Sequence, residues 1–206
     1  MNDFLNIVRE RRSANKFIEN VVIPKEDFND IFSELSLAPS AFNLQHAKYY
    51  VVEDKSLTDK IYEASFKQYK IKTASATILV TGDKNAYLSA SQIYEGSMML
   101  GMLDKTEYQL MIDTINNLYE GWGESFQHDE AIRNASLSAM LFMLLAKNKD
   151  WDTCPMIYFD KDKISQLLNI PENEVPVLMI TMGKTDKNSN KIRGYRKPVG
   201  EFVKFY

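Results

Sequence analysis

The chain has 206 residues, 45% of them hydrophobic, which is enough to fill one substantial core and fits a single domain over residues 1–206. Its 25 Lys and Arg against 28 Asp and Glu leave a formal net charge of −3, which argues against a broad nucleic-acid-binding surface. One cysteine, Cys154, excludes an intramolecular disulfide. No apolar run approaches the roughly 20 residues of a bilayer span and no apolar targeting segment precedes Arg9, so the expectation is a cytoplasmic protein away from membranes.

Asn2 or Asp3 is placed to cap a first helix, with Phe4, Ile7 and Val8 at i, i+3, i+4 spacing. Pro24 suits the first turn of a second, whose apolar face is Phe28, Ile31, Phe32 and Leu35. "KYYVV", residues 48–52, reads as a strand. Ser56 with Asp59 resembles a capping box opening a third helix, and "ATILVTG", residues 76–82, reads as a buried strand. Helical spacing returns over residues 85–103, and Thr106 is the predicted cap of the next helix, which "EGWGES" at 120–125 should interrupt. Residues 130–148 carry "SLSAMLFMLLA", apolar on nearly every side, a pattern for a helix buried in the core or in a subunit interface. "PMIYF" from Pro155 and "VPVLMITMG" from Val175 read as two further strands around a short helix with Ile164, Leu167 and Leu168. Without repeats or linkers, this mixture of helices and strands indicates one α+β domain.

Two basic clusters stand out in a slightly acidic chain. "RERRSANKF", residues 9–17, holds Arg9, Arg11, Arg12 and Lys16 against one carboxylate, and the far end holds Lys191, Arg193, Arg196 and Lys197. Complementing a helix C-terminus accounts for the first and a solvated tail for the second. A phosphate monoester accounts for both at once, since forked guanidinium groups and a hydroxyl such as Ser13 match its oxygens. No Walker loop and no G-x-G-x-x-G occurs, so any nucleotide phosphate must be held without a glycine loop.

The order and spacing of five segments resemble the nitroreductase family of FMN-dependent, NAD(P)H-oxidising enzymes. The segments are "ERRSANKF", "APSAFNLQ", "FKQYKIKTASATILVTGD", "CPMIYFDKDKISQLLNIPENEVPVLMITMGK" and "GYRKPVGEFV". The resemblance implies an α+β fold with a mostly antiparallel four- or five-stranded sheet flanked by helices, in an intertwined homodimer with FMN at the interface. It implies hydride transfer from NAD(P)H via flavin N5 to nitroaromatic, quinone or similar electron-poor acceptors by a ping-pong mechanism. A flavin-storing or flavin-degrading protein of the same fold is the alternative.

By the same resemblance Arg11, Arg12, Ser13 and Arg196 hold the FMN phosphate, and Arg193 is a further cofactor-binding candidate. Pro39, Ser40, Ala41 and Asn43 come from the partner subunit to line the ring, Gln68 and Lys70 lie at its pyrimidine edge, and the backbone at Ile157 and Tyr158 faces N5. Asn15 stands where the family usually has a cation and Lys67 where Asn is common, so Lys67 is expected to supply charge near N1 and O2. Ile157 and Tyr158 replace an acidic or small residue followed by Gly, so the Tyr158 side chain needs room. Phe42, Trp122 and Phe126 are the candidates for contact with acceptor or nicotinamide. Flavin N5 carries the hydride, so no catalytic side chain is required. His46 and His128 lack metal-ligand spacing and read as structural or surface residues, no metal is expected, and Cys154 reads as an inert core thiol.

Overall fold

The computed structural model describes residues 4–189 and 191–206, so the predicted cap at Asn2 or Asp3 lies outside the described residues. Helices α1 (Phe4–Glu10) and α2 (Lys25–Leu35) precede strand β1 (Ala47–Val52), which is followed by α3 (Lys55–Ala64), α4 (Tyr69–Thr73) and β2 (Ala76–Asp83). Then come α5 (Ala90–Met99), the long α6 (Lys105–Asn148), β3 (Asp152–Met156), α7 (Lys161–Leu168) and β4 (Glu174–Gly183). The four strands form one sheet in the order β1-β2-β4-β3, with every pairing antiparallel.

The two central strands explain the layers. Ile78 and Val80 of β2 and Ile180 and Met182 of β4 point to one face, where α2 and the C-terminal half of α6 cover them. Leu79 and Met179 point to the other, where they meet Ile61 of α3, Ile71 of α4 and Ile164 of α7. Alternate side chains thus serve opposite layers, and strands covered on both sides read as the continuous apolar runs seen in the sequence.

Helix α6 sets the spacing of the first layer. Ala131, Ala135 and Ala139 recur every four residues and are wholly buried, so the helix backbone comes down onto the sheet. A Cβ on Gly82 would lie 2.3 Å from the carbonyl oxygen of Ala131, so β2 requires glycine at this crossing. Burial is confined to one side of this helix within the chain, because Leu137 and Met140 remain 49% and 43% exposed.

The local differences from expectation have simple causes. Asp54, not Ser56, caps α3, its carboxylate accepting from Leu57 N at 2.7 Å. Asp104, not Thr106, caps α6, in a reciprocal capping box with Glu107. In both cases a carboxylate stands on extended backbone just before the first turn, where the orphan N–H groups point. The glycine-bearing stretch does interrupt α6 as expected, since Gly123 at φ 73° leaves helical backbone and α6 is two helices meeting at a kink there. Strand β3 begins earlier than "PMIYF" and stops at Met156. Asp160 N donates to the Ala64 carbonyl at 2.9 Å and the Asp160 side chain caps α7, which turns the chain out of the sheet. No described helix is long and apolar enough to cross a membrane.

Candidate functional site

The basic stretch leaves α1 and runs along the open edge of β3. Ser13 bridges Thr153 in parallel fashion, and Ala14 N donates to the Thr153 carbonyl at 3.0 Å. Phe17 is fully buried, its N–H donating to Thr73 Oγ1 at 3.2 Å, which anchors the far end. These contacts hold Arg11, Arg12, Ser13 and Asn15 in fixed positions beside the sheet.

The distal basic cluster comes to meet them. Arg12 donates to the Lys191 carbonyl, Asn15 Nδ2 to the Ser189 carbonyl at 3.2 Å, and Arg193 to the carbonyls of Arg9 and Arg11. Between the two segments lies a cleft of about 200 Å³, walled by Arg11, Arg12, Ser13 and Asn15 on one side and Lys191, Arg193 and Arg196 on the other. Among the described residues its lining brings five cations and no carboxylate. Burial, and after it the like charges of Arg193 and Arg196, hold the Arg11 guanidinium below the usual arginine range, with Cys154 acting the other way. Gathering cations so closely is unfavourable unless an anion offsets the repulsion, and a phosphate with its forked acceptors fits this donor set.

Next to the cleft, Lys70 Nζ of α4 donates to Cys154 Sγ of β3 at 3.2 Å. Gln68 Nε2 donates to the Tyr158 carbonyl at 2.6 Å, and the Tyr158 ring stacks on Phe66 with centroids 4.3 Å apart. That stack is where the side chain finds its room. Ile157 and Tyr158 are exposed beyond the end of β3. Lys67 has left-handed backbone at φ 57°, is exposed, and pairs with Glu63 at 3.5 Å; it does not line the cleft that Asn15 lines.

The loop after α2 is a second, separate constellation. Phe42, Asn43 and Gln45 all have positive φ (50°, 53° and 52°), a backbone that costs of order 1 kcal/mol or more per non-glycine residue and needs anchoring. Ala41 N donates to Asn134 Oδ1 at 2.7 Å, Gln45 N to Ser40 Oγ at 3.0 Å, and Tyr94 Oη to the Phe42 carbonyl at 3.0 Å. Pro39 and Ser40 face a different cleft, of about 170 Å³, shared with His46, Tyr49 and Asn134. Within one chain, therefore, the residues at 39–43 and the basic cleft have separate linings. Phe126 packs on the aromatic cluster of Tyr87 and Tyr119 with Tyr94 beside it, while Trp122 touches Phe126 edge-on at 4.9 Å and is 68% exposed.

Asn134 and Tyr94 are the anchors that sequence reasoning missed. Asn134 had a signal, since an amide in the middle of an apolar helical face is buried and needs partners; it finds Ala41, the Glu130 carbonyl and the Glu130 carboxylate. Tyr94 had none, because a tyrosine on a half-exposed helix is ordinary.

The model of the nitroreductase family matches residues 8–184. The chain belongs to the nitroreductase family. "Putative NAD(P)H nitroreductase MhqN" of Bacillus subtilis is 52% identical over 205 residues, covering 100% of both chains. The solved structure of a putative nitroreductase, YdfN of Bacillus subtilis, superposes with a TM-score of 0.96 at 51% identity over 98% of each chain. A putative nitroreductase from Exiguobacterium sibiricum, solved in complex with FMN, gives 0.91 at 28% identity, covering 100% of this chain and 98% of that one. The family match ends just after β4, so Arg193 and Arg196 of this family member lie beyond it.

Proposed function

We propose that this nitroreductase-family protein is an FMN-dependent oxidoreductase. It would act as one domain in a homodimer in the cytoplasm, carrying reducing equivalents from NAD(P)H to electron-poor acceptors such as nitroaromatics or quinones. The observation that carries the reading is the cleft in which Arg11, Arg12, Arg193 and Arg196 converge with Ser13, a donor set suited to a phosphate monoester. The FMN complex of the Exiguobacterium protein supports the choice of anion.

When bound, FMN supplies the centre that accepts and returns hydride. The chain's own residues hold and tune it. Arg11, Arg12, Ser13, Arg193 and Arg196 grip the phosphate. Lys70, Gln68 and Lys67 would flank the pyrimidine edge, where Lys70 would favour negative charge on the ring, and Asn15 would meet the cofactor from the wall of the basic cleft. The backbone at Ile157 and Tyr158 would contribute to holding the ring. Pro39, Ser40, Ala41 and Asn43 of a second copy close the site, with Phe42, Trp122 and Phe126 as the apolar contacts for the acceptor. No side chain is needed as acid or base, and positioning is the protein's main contribution.

A homodimer is favoured by what the single chain leaves uncovered. Leu137 and Met140 on α6 are about half exposed, and Tyr195, Phe202, Phe205 and Tyr206 in the C-terminal arm are at least 66% exposed. Such apolar surface is unusual for a monomer.

The test is a visible spectrum with a mass measurement in solution. Yellow protein of twice the chain mass that bleaches anaerobically with NADH or NADPH, and recovers its colour with a quinone, is the expected result. Yellow protein that does not bleach would move the assignment to flavin storage or degradation. Colourless protein unable to take up FMN would end both.

A further inference from the structure

Cys154 is not simply a filler of the core. It sits on β3 opposite Thr181 of β4, 3% exposed, and Thr181 Oγ1 donates to its carbonyl at 3.4 Å. Its sulfur has two polar contacts. It accepts from the Lys70 ammonium at 3.2 Å, and its S–H donates to the Pro155 carbonyl at 3.7 Å. Among the described residues no carboxylate pairs with Lys70.

Lys70 lies on α4, which is only five residues long and so offers a long side chain little lateral support. A lysine has four flexible methylene groups and loses about 2 kcal/mol of rotamer freedom when fixed. A carboxylate partner would fix it but also cancel its charge. A neutral thiol fixes the ammonium and leaves the positive charge intact. Thr153, the neighbour of Cys154 on β3, is bridged by Ser13 and accepts from Ala14 N at 3.0 Å, so the strand that carries this sulfur also carries the wall of the basic cleft.

We propose that Cys154 is a positioning residue, its sulfur aiming the Lys70 ammonium at the flavin site and so setting FMN affinity and flavin reduction potential. This rests on the FMN reading above. A fixed cation at the pyrimidine edge favours the form of the ring that carries more negative charge, so loosening it lowers the potential.

The experiment measures FMN dissociation constants by fluorescence and midpoint potentials by spectroelectrochemistry for wild type, Cys154→Ala, Cys154→Ser, Lys70→Ala and Cys154→Ala/Lys70→Ala. Cys154→Ala should weaken FMN binding three- to tenfold and shift the redox equilibrium toward the oxidised form by up to tenfold, about 30 mV for a two-electron couple. Cys154→Ser, which keeps a donor and an acceptor, should recover most of both. In the Lys70→Ala background the cysteine substitution should change neither, because its target is gone. Unchanged values in Cys154→Ala, or effects that add to those of Lys70→Ala, overturn the proposal. If Cys154→Ala does not fold, the same cycle with Cys154→Ser decides, with a smaller shift that must again vanish without Lys70. Wild type that takes up no FMN overturns the parent reading and this one with it, whereas FMN-binding wild type with an indistinguishable Cys154→Ala removes this one alone.

Discussion

Arg193 Nη2 donates to the backbone carbonyl of Arg11 at 3.2 Å, joining positions 182 residues apart. The guanidinium therefore has two tasks, fastening the C-terminal segment to the N-terminal one and adding charge to the cleft. Among the described residues Arg196 is not so engaged; its Nη1 donates to the carbonyls of Gly194 and Tyr195 in its own segment.

This division predicts different losses from two similar substitutions. Arg196→Ala should weaken FMN binding about 10- to 100-fold, the worth of one charge-assisted hydrogen bond of roughly 1.5–3 kcal/mol. Arg193→Ala should cost more, because the tail is also released. Fluorescence titration of both variants, with limited proteolysis of the tail, checks the order; equal losses with equal proteolysis would contradict it.

Asn134→Ala should loosen the loop that it anchors. The Ala41 N–H loses its acceptor while the left-handed backbone at Phe42, Asn43 and Gln45 keeps its strain. A stability loss of about 1–3 kcal/mol is expected, together with faster hydrogen exchange at residues 41–45. Unchanged exchange there would mean that Ser40 and Tyr94 suffice.

His46 makes the fold sensitive to acid. Its ring is fully buried, its Nε2 lies 3.2 Å from the Tyr119 hydroxyl, and Nδ1 has no partner. Burial pushes its pKa down to about 4, against an opposing pull from Asp83. The unfolded chain thus binds a proton near pH 6.5 that the folded chain refuses until about pH 4. The neutral ring's contribution is fully present above pH 6.5 and is lost as pH falls toward 4, by up to about 3 kcal/mol. Urea unfolding at pH 7, 5.5 and 4.5 should show this decline in wild type and a shallower one in His46→Gln. Parallel declines would assign it to other groups.

Two glycines should respond oppositely to alanine. Gly82→Ala drives a methyl into the Ala131 carbonyl and should destabilise by about 3 kcal/mol, lowering Tm by several degrees. Gly96, inside α5 with nothing within 4 Å of its would-be Cβ, should gain up to about 1 kcal/mol. Thermal melts of the two variants provide the comparison.

What could be read before the structure was what repeats along the chain. The apolar runs of β2 and β4 announce strands covered on both faces, and the spacing of Phe28, Ile31 and Leu35 announces the buried side of α2. The two basic clusters could be paired only by asking which anion needs both. Contacts made by single atoms across long separations left no trace. Lys70 and Cys154 lie 84 positions apart, Gln68 and the Tyr158 carbonyl 90, and neither pair follows a period. The Asp54 and Asp104 caps were legible in principle, but Ser56 and Thr106 stood close by and hydroxyl caps are as common as carboxylate ones. The pairing of Lys67 with Glu63 at 3.5 Å was likewise not announced by matching Lys67 to the cation missing at Asn15.

Strand β3 is the last in the sheet, and its outer side is met by Ser13 and Ala14. The backbone that displays the arginines therefore also shields a row of hydrogen-bonding groups that another chain could otherwise pair with. Cofactor retention and colloidal behaviour are coupled through that short stretch. Protein stripped of its anion has cations that repel one another on the segment guarding the edge, and it should aggregate sooner than loaded protein at the same temperature.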